Sequence, residues 1–564
     1  MPLLTARQRM GAAALILAAS AVLSRLMGLV RDKVISWQFG AGGEADLYFA
    51  AFVVPDIINY LLAGGFMSIT IIPLLAARFR EDEADAWRFF SCVFFWMLTA
   101  SLLLTGAGMI WAEPLSRLTA PGFGPEALSR LAFFMRLILP AQVFFLSGAC
   151  FTALLLLRRQ FSVPALTPLI YNGCIIAMGL LLPLVPGAAA LFGRGGDVGP
   201  GHLGPGHLGP GHLGMTGYCV GVTLGAGLGA FLLPLRAARA GGLRLSPVWR
   251  HPLMGRFLLI ALPLMLGQTV IMLDEQFLRV FGSLVGEGAV SLLNYGRRIA
   301  QVPVGLVGQA AAVASYPFLV RLLAEGENER FHATLRTALA ASVGLILPCA
   351  LWMMAAAWPI LGIIFQGGRF GPEETLAALP LTRLMLAPAP FWIIYMVLVR
   401  AYYAHGDTVT PALTGTVVTL VCVPLYYFLA VPQGAWAVAA LSGHGVSGYV
   451  VWLMRIWTRR HGTAAFAGLA RLATRCLACA LPAAGIAWLV ADAAQARLPL
   501  PPFFAACAAL AASGLAFAAV GLPLARFMAP DLLAMALRPL RERLTRKKGR
   551  QRTGADACQN GKDA

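Results

Sequence analysis

Charge is scarce in this chain of 564 residues: only 12% are Asp, Glu, Lys or Arg, with 25 acidic against 44 basic residues. A soluble domain of this length would carry about twice that charged fraction. No long polar stretch interrupts the apolar runs, which leaves no room for a sizeable soluble domain. Short strands of alternating polar and apolar residues are missing too, and this excludes a β-barrel. No GxxxxGK[ST] pattern occurs, so ATP hydrolysis through a phosphate-binding loop is excluded, and Ser, His and Asp form no local catalytic motif. The ten cysteines lie mostly in apolar segments. The CxxC of Cys476 and Cys479 lies inside one of them, where helix packing is a stronger reading than redox or metal chemistry.

What the chain does have is hydrophobicity, 59% of residues with a mean hydropathy of +0.74. At about 20 apolar residues per span, the sequence reads as an all-α polytopic membrane protein with about fourteen transmembrane helices. They are expected near 11–38, 46–77, 88–112, 127–157, 163–185, 215–235, 252–284, 288–322, 333–365, 375–404, 411–431, 434–457, 469–493 and 500–526. The first run follows Arg7 and Arg9 as a signal peptide would, but it contains Arg25 and Arg31 and has no convincing cleavage site; it reads as a retained helix. Alternate loops are basic (Arg78, Arg80 and Arg88; Arg158 and Arg159; Arg236, Arg239, Arg244 and Arg250; Arg455, Arg459 and Arg460). The positive-inside rule puts these loops and both termini in the cytoplasm. The net charge of +19 is therefore topogenic, and no nucleic-acid partner is expected. A basic tail from about 530 would lie against anionic lipid.

A GPGHL repeat from Gly199 places His202, His207 and His212 five residues apart in an outer loop. Evenly spaced imidazoles can bind a transition metal, but repeat expansion in a tolerant Gly/Pro loop is the simpler account, and no metal or cofactor is expected.

Two stretches put positive charge inside apolar runs: Arg25, Arg31, Asp32 and Lys33 in the first, and Arg297-Arg298 within Asn294-Tyr-Gly-Arg-Arg. An arginine at the bilayer centre costs roughly 2.5–3.5 kcal/mol on insertion scales, so such groups face a watery cavity or a partner. Arg25 and Asp32 are seven residues apart and share a helix face, with the small Gly28 between them leaving space for a polar group. Arg297 and Arg298 diverge by about 100°, so at most one faces a given cavity squarely; the other would snorkel or pair with Asp274 or Glu275. Arginines that fork onto phosphate oxygens suit an anionic passenger.

These residues resemble a known family. Ser24-Arg-Leu-Met-Gly-Leu-Val-Arg-Asp32, Phe39-Gly-Ala-Gly, Glu44-Ala-Asp46, Val54-Pro55, Phe161-Ser-Val-Pro-Ala-Leu-Thr-Pro168, Asn294-Tyr295, Phe365-Gln-Gly-Gly-Arg-Phe370 and Arg400-Ala-Tyr-Tyr-Ala-His-Gly-Asp-Thr408 are similar to signatures of the MurJ (MviN) lipid II flippases. The resemblance implies two pseudo-symmetric six-helix lobes, 1–240 (with the outer loop 186–214) and 241–460, then two helices in 461–528 forming a groove for a lipid tail, and a cytoplasmic tail 529–564. It also implies transfer of a lipid-linked anionic glycan, undecaprenyl-pyrophosphate-linked peptidoglycan precursor, from the inner to the outer leaflet of the bacterial cytoplasmic membrane by alternating access. Membrane lipids and cell-wall synthesis proteins would be the partners. Arg25, Arg31 and Arg298 match the family's pyrophosphate-contacting arginines, Asp32 and Asp46 match acids that orient and gate, and Asp274 matches a candidate cation site. Energy would come from the membrane potential or a monovalent cation.

The chain also departs from the family pattern. A pair of arginines and a glutamate that the family carries after Val54-Pro55 are replaced by Asn59-Tyr60 and Gly64, while Arg297 adds a charge. Either Arg297 substitutes for a lost arginine or the glycan differs. Two rivals stay open: an exporter of another polyprenyl-pyrophosphate glycan or of organic cations in the same superfamily, and a membrane scaffold whose arginines are structural.

Overall fold

The computed structural model describes residues 10–63, 66–186, 188, 213–497 and 499–530; the GPGHL histidines and nearly all of the basic tail lie outside them. Among the described residues the only β feature is an isolated bridge between Gly367 and Phe370. The rest is helix and short connections, as lipid demands, because helices satisfy their backbone groups internally. The helices that bear on the site are α1 (Met10–Phe39), α2 (Gly43–Ala50), α3 (Val53–Ala63), α4 (Ser162–Leu181), α5 (Thr216–Gly225), α6 (Leu253–Ser283), α7 (Ala289–Ala324), α8 (Asn328–Ala355), α9 (Ala389–Ala404), α10 (Ala435–His461), α11 (Leu469–Arg497) and α12 (Pro502–Met528).

Eleven described helical stretches are long and apolar enough to cross a membrane. The count of fourteen is not reached by this measure. The three expected spans outside the eleven correspond to α1, α6 and α7, continuous helices of 30, 31 and 36 residues. They are also the helices that carry Arg31, Asp274 and Arg298. Pro303 lies within the continuous helix α7, whereas the expected span 46–77 is broken into α2, α3 and Phe66–Glu81.

By contacts the chain divides into two compact units: Met1–Arg298 with Ile364–Leu381 and Thr408–Gly445, and Ile299–Ile363 with Thr382–Asp407 and Val446–Ala564. In the first unit, four glycines spaced by four (Gly217, Gly221, Gly225 and Gly229) form a flat strip along α5 and the π-helical turn Ala226–Leu232 that follows it. A Cβ on each would stand 2.6, 2.7, 2.8 and 3.0 Å from Met178 O, Ile175 Cα, Tyr171 O and Thr167 O of α4. Such small-residue strips let two helices meet backbone to backbone where lipid supplies no hydrophobic drive. The other side of α4 packs on α1, with Ser20 Oγ donating to Ala165 O at 2.5 Å. Elsewhere in this unit Glu44 ties two distant segments: it accepts from Arg130 Nε at 3.2 Å and from the Met215 amide at 2.9 Å, while Arg130 Nη2 donates to Leu213 O.

In the second unit α11 and α12 pack on each other, and α11 packs on α8. The contact surface is alanine-rich (Ala483, Ala484, Ala487, Ala505, Ala506 and Ala509 are buried), while Leu489, Phe504, Leu515 and Phe527 point outward and exposed. Cys476 and Cys479 are buried as free thiols on α11, as helix packing requires. The same unit holds an apolar groove of about 910 Å³ between α7 and α8, lined by Leu306, Ala311, Ala333, Ala338, Ala341 and Leu345 among others.

The glycine strip predicts that Gly221→Val, which must push a branched side chain into the α4 backbone, destabilises by about 1–3 kcal/mol as overpacking does. Thermal unfolding in detergent should show a lower midpoint for it and none for Gly255→Ala, whose Cβ meets nothing within 4 Å.

Candidate functional site

Every candidate site residue named from the sequence falls in the first unit, so the site can be built from that unit alone. Its centre is Asp32, 1% exposed. Arg31 forks onto one carboxylate oxygen, Nε and Nη2 donating to Asp32 Oδ1 at 2.9 and 2.8 Å. The third nitrogen, Nη1, donates to Asn172 Oδ1 at 3.2 Å. Asn172 is held in that orientation because its amide nitrogen donates to Pro168 O at 2.9 Å. Arg298 approaches the other carboxylate oxygen, Nε to Asp32 Oδ2 at 3.2 Å, with its side chain 38% exposed. One carboxylate thus serves two guanidiniums, and the trio carries a net charge of +1.

Arg25 lies exposed on α1 and makes no ion pair among the described residues. The space expected beside Gly28 exists: a Cβ there would meet nothing within 4 Å. Lys33 is tied elsewhere, its Nζ donating to Gln366 O at 2.5 Å.

The other arginines of the site are paired within the chain. Arg297 Nη1 donates to Asp274 Oδ2 at 2.7 Å, and Ser442 Oγ donates to the same oxygen at 3.1 Å. The candidate cation position is therefore filled by a guanidinium and a hydroxyl of the chain itself. Arg279, which the sequence reading did not single out, is 3% exposed. It donates to Asp56 at 2.7 Å, to Gln276 at 2.9 Å and to Glu275 at 2.8 Å. Its sequence signal was the i, i+4 spacing from Glu275 on one helix; Asp56 is 223 residues distant. Asp56 sits on α3 with Asn59 and Tyr60, so Arg279 brings a guanidinium to that helix. Once these pairs are closed, Arg25 and Arg298 are the two site arginines with side chain still open to an outside anion.

Asp46 has a different task. It is 1% exposed and accepts the Gly288 and Ser291 amides at 2.6 and 2.7 Å, capping the start of α7 from outside that helix. Free amides at a helix N-terminus are a natural seat for a carboxylate. Around it Glu287 accepts from Gly43 N, and Tyr295 donates to Gly40 O. The segment Phe365–Phe370 closes on the end of α1: Ser36 Oγ donates to Phe365 O at 3.1 Å and the Arg369 amide to Trp37 O at 2.9 Å. Gly368, at φ +60°, brings its Cα so near Trp37 O that a Cβ would stand at 2.1 Å. Among the described residues no group of three or more His, Cys, Asp or Glu is arranged to hold a metal ion.

Asp32 supports a double-mutant test. Removing one partner of a buried ion pair costs about 3–5 kcal/mol because the other charge is stranded. Asp32→Asn should therefore lower the unfolding midpoint in detergent more than the double variant Arg31→Gln/Asp32→Asn does; equal losses would show that Arg31 does not depend on Asp32.

Known proteins match this chain over most of its length. A family model described as lipid II flippase MurJ matches residues 35–504. The probable lipid II flippase MurJ of Rhizobium meliloti is 26% identical over 473 residues, covering 82% of this chain and 83% of that protein. The lipid II flippase MurJ of Burkholderia cenocepacia is 26% identical over 403 residues, 69% of this chain and 72% of that protein. The fold is similar to a solved lipid II flippase MurJ in an inward closed conformation, with a TM-score of 0.72, 19% identity, and coverage of 92% of this chain and 100% of that one. It is also similar to an inward-facing multidrug resistance MATE family transporter of the MOP superfamily, with a TM-score of 0.60, 15% identity, and coverage of 79% and 98%.

Proposed function

The chain belongs to the lipid II flippase MurJ family, and we propose that it carries lipid II, the undecaprenyl-pyrophosphate-linked peptidoglycan precursor, from the inner to the outer leaflet of the bacterial cytoplasmic membrane by alternating access. It is a transporter and not an enzyme. Both termini and the basic loops are on the cytoplasmic side, and membrane lipid and cell-wall synthesis proteins are its partners.

The observation that carries this reading is the Arg31–Asp32–Arg298 trio, with a net charge of +1 and a partly open Arg298; Arg25 is exposed on the helix that carries Arg31. A pyrophosphate arriving here meets guanidiniums that can donate in a fork. Asp32 holds Arg298 by an ion contact while no substrate is present. The incoming phosphate oxygens replace that contact, while Asn172 and Asp32 Oδ1 keep Arg31 aimed. The open space at Gly28 accommodates the head group. Release of the Asp46 carboxylate from Gly288 and Ser291 gates the step that follows.

Because Arg297 already supplies positive charge to Asp274, the energy source we favour is the membrane potential, worth about 2.3 kcal/mol per elementary charge per 100 mV, over a cation bound at Asp274. The polyprenyl chain lies against the exposed apolar faces of α11 and α12. A different polyprenyl-pyrophosphate glycan would use the same arginines. An organic cation would not, since the open charged groups are Arg25 and Arg298.

The test is complementation of a flippase-depleted bacterium. The parent chain should restore growth, and Arg31→Ala and Arg298→Ala should fail at equal membrane abundance. Rescue by both variants would sink the assignment. Failure of the parent, with lipid-linked glycans of other sugars moved in reconstituted vesicles, would point to a different head group.

A further inference from the structure

In the second unit, far along the chain from the site arginines, three of the eight histidines converge on one buried tryptophan. Trp457, 0% exposed, lies near the end of α10. Phe331 of α8 stacks on it at 6.3 Å and 12°, and Tyr402 of α9 meets it edge-on at 4.9 Å. Around the same ring stand His461 of α10 at 4.5 Å, His405 just after α9 at 5.3 Å, and His332 of α8 at 6.3 Å. His405 and His461 are 4.6 Å apart, ring to ring.

The tautomer of His405 follows from its partner. A carbonyl only accepts, so the 3.1 Å contact of His405 Nδ1 with Ala401 O places a proton on Nδ1 and leaves Nε2 to take a second. His332 Nδ1 is buried with no hydrogen-bond partner. A proton added there would create a charged, unpartnered N–H in the packed interior, which a small rearrangement must relieve. The other charged groups facing the cluster are Asp407, beside His405, and Arg460, on α10; they pair at 2.9 Å. On α8 the neighbouring Arg330 pairs with Glu327 at 2.9 Å. Asp407, the carboxylate beside the imidazoles, is thus already engaged by Arg460.

We infer that the aromatic-histidine cage around Trp457 is a proton-sensitive lock joining the ends of α8, α9 and α10, closed while the three imidazoles are neutral and loosened when they charge. Imidazole is the side chain that gains its charge in the weakly acid range, so the lock holds at pH 7.5 and yields on acidification. By the loop-charge rule these helix ends, with Arg455, Arg459 and Arg460, face the cytoplasm, which would make the lock a sensor of cytoplasmic acidification, independent of the substrate site.

Hydrogen exchange of the full-length protein in nanodiscs, corrected for the intrinsic effect of pH, tests this. Between pH 7.5 and 5.5, peptides covering 328–335, 400–408 and 455–463 should lose about tenfold in protection, while α11 keeps its own. The variant His332→Phe/His405→Phe/His461→Phe, which keeps rings but cannot charge, should hold protection at both pH values. Single His461→Phe, a milder change, should shift the loosening to lower pH. Unchanged parental exchange in those peptides, equal loss along α11, or loosening unaltered in either variant would overturn the inference.

Discussion

The charged interior depends on one carboxylate. In a low-dielectric setting a lone guanidinium or carboxylate is intolerable, and a set of charges survives only as a closed network. Asp32 is the point at which that network is left deliberately short: it offers two oxygens to two arginines, and one of them remains half open. Arg279 with Asp56 and Glu275, and Arg297 with Asp274, are ion pairs made wholly within the chain. The contrast separates charges that hold helices together from charges that can meet a passenger.

The placement of Asp32 and Arg31 is itself the result of packing several steps away. The glycine strip on α5 lets that helix approach α4 closely enough to fix it; α4 carries Asn172; Asn172 takes the third nitrogen of Arg31. A local feature with no charge, four glycines at one-turn spacing, therefore helps to set the direction of a guanidinium. Residues that never approach a substrate can in this way determine how it is held.

Much of the helix layout was legible because lipid imposes a length and a hydropathy that the sequence must satisfy. Arg31, Asp32 and Arg298 were legible as anomalies against that background, and Asp274 was named beforehand as one of two candidate partners for Arg297. Which cations were already neutralised was harder to read. Arg31 finds Asn172 at a separation of 141 residues, and Arg279 finds Asp56 at 223. No periodicity encodes such distances. The positive balance seen in the sequence therefore overstated the free charge: the internal carboxylates consume most of it. The cap that Asp46 supplies to α7 was invisible for the same reason, since a capping residue is normally sought next to the helix it caps.

Glu44 has a wider meaning when set beside the histidine repeat. On one side of residues 189–212, Leu182 and Ala188 pack into one small cluster with Leu213; on the other, Leu213 and Met215 are held by Arg130 and Glu44. Both stems of the insertion are thus clamped to the same body. The chain thus leaves and re-enters the body at one place, held on both sides by contacts that lie outside residues 189–212. Such a position is where a chain evolves in length at no expense to its working geometry, and it is where a reporter domain could be spliced into this transporter.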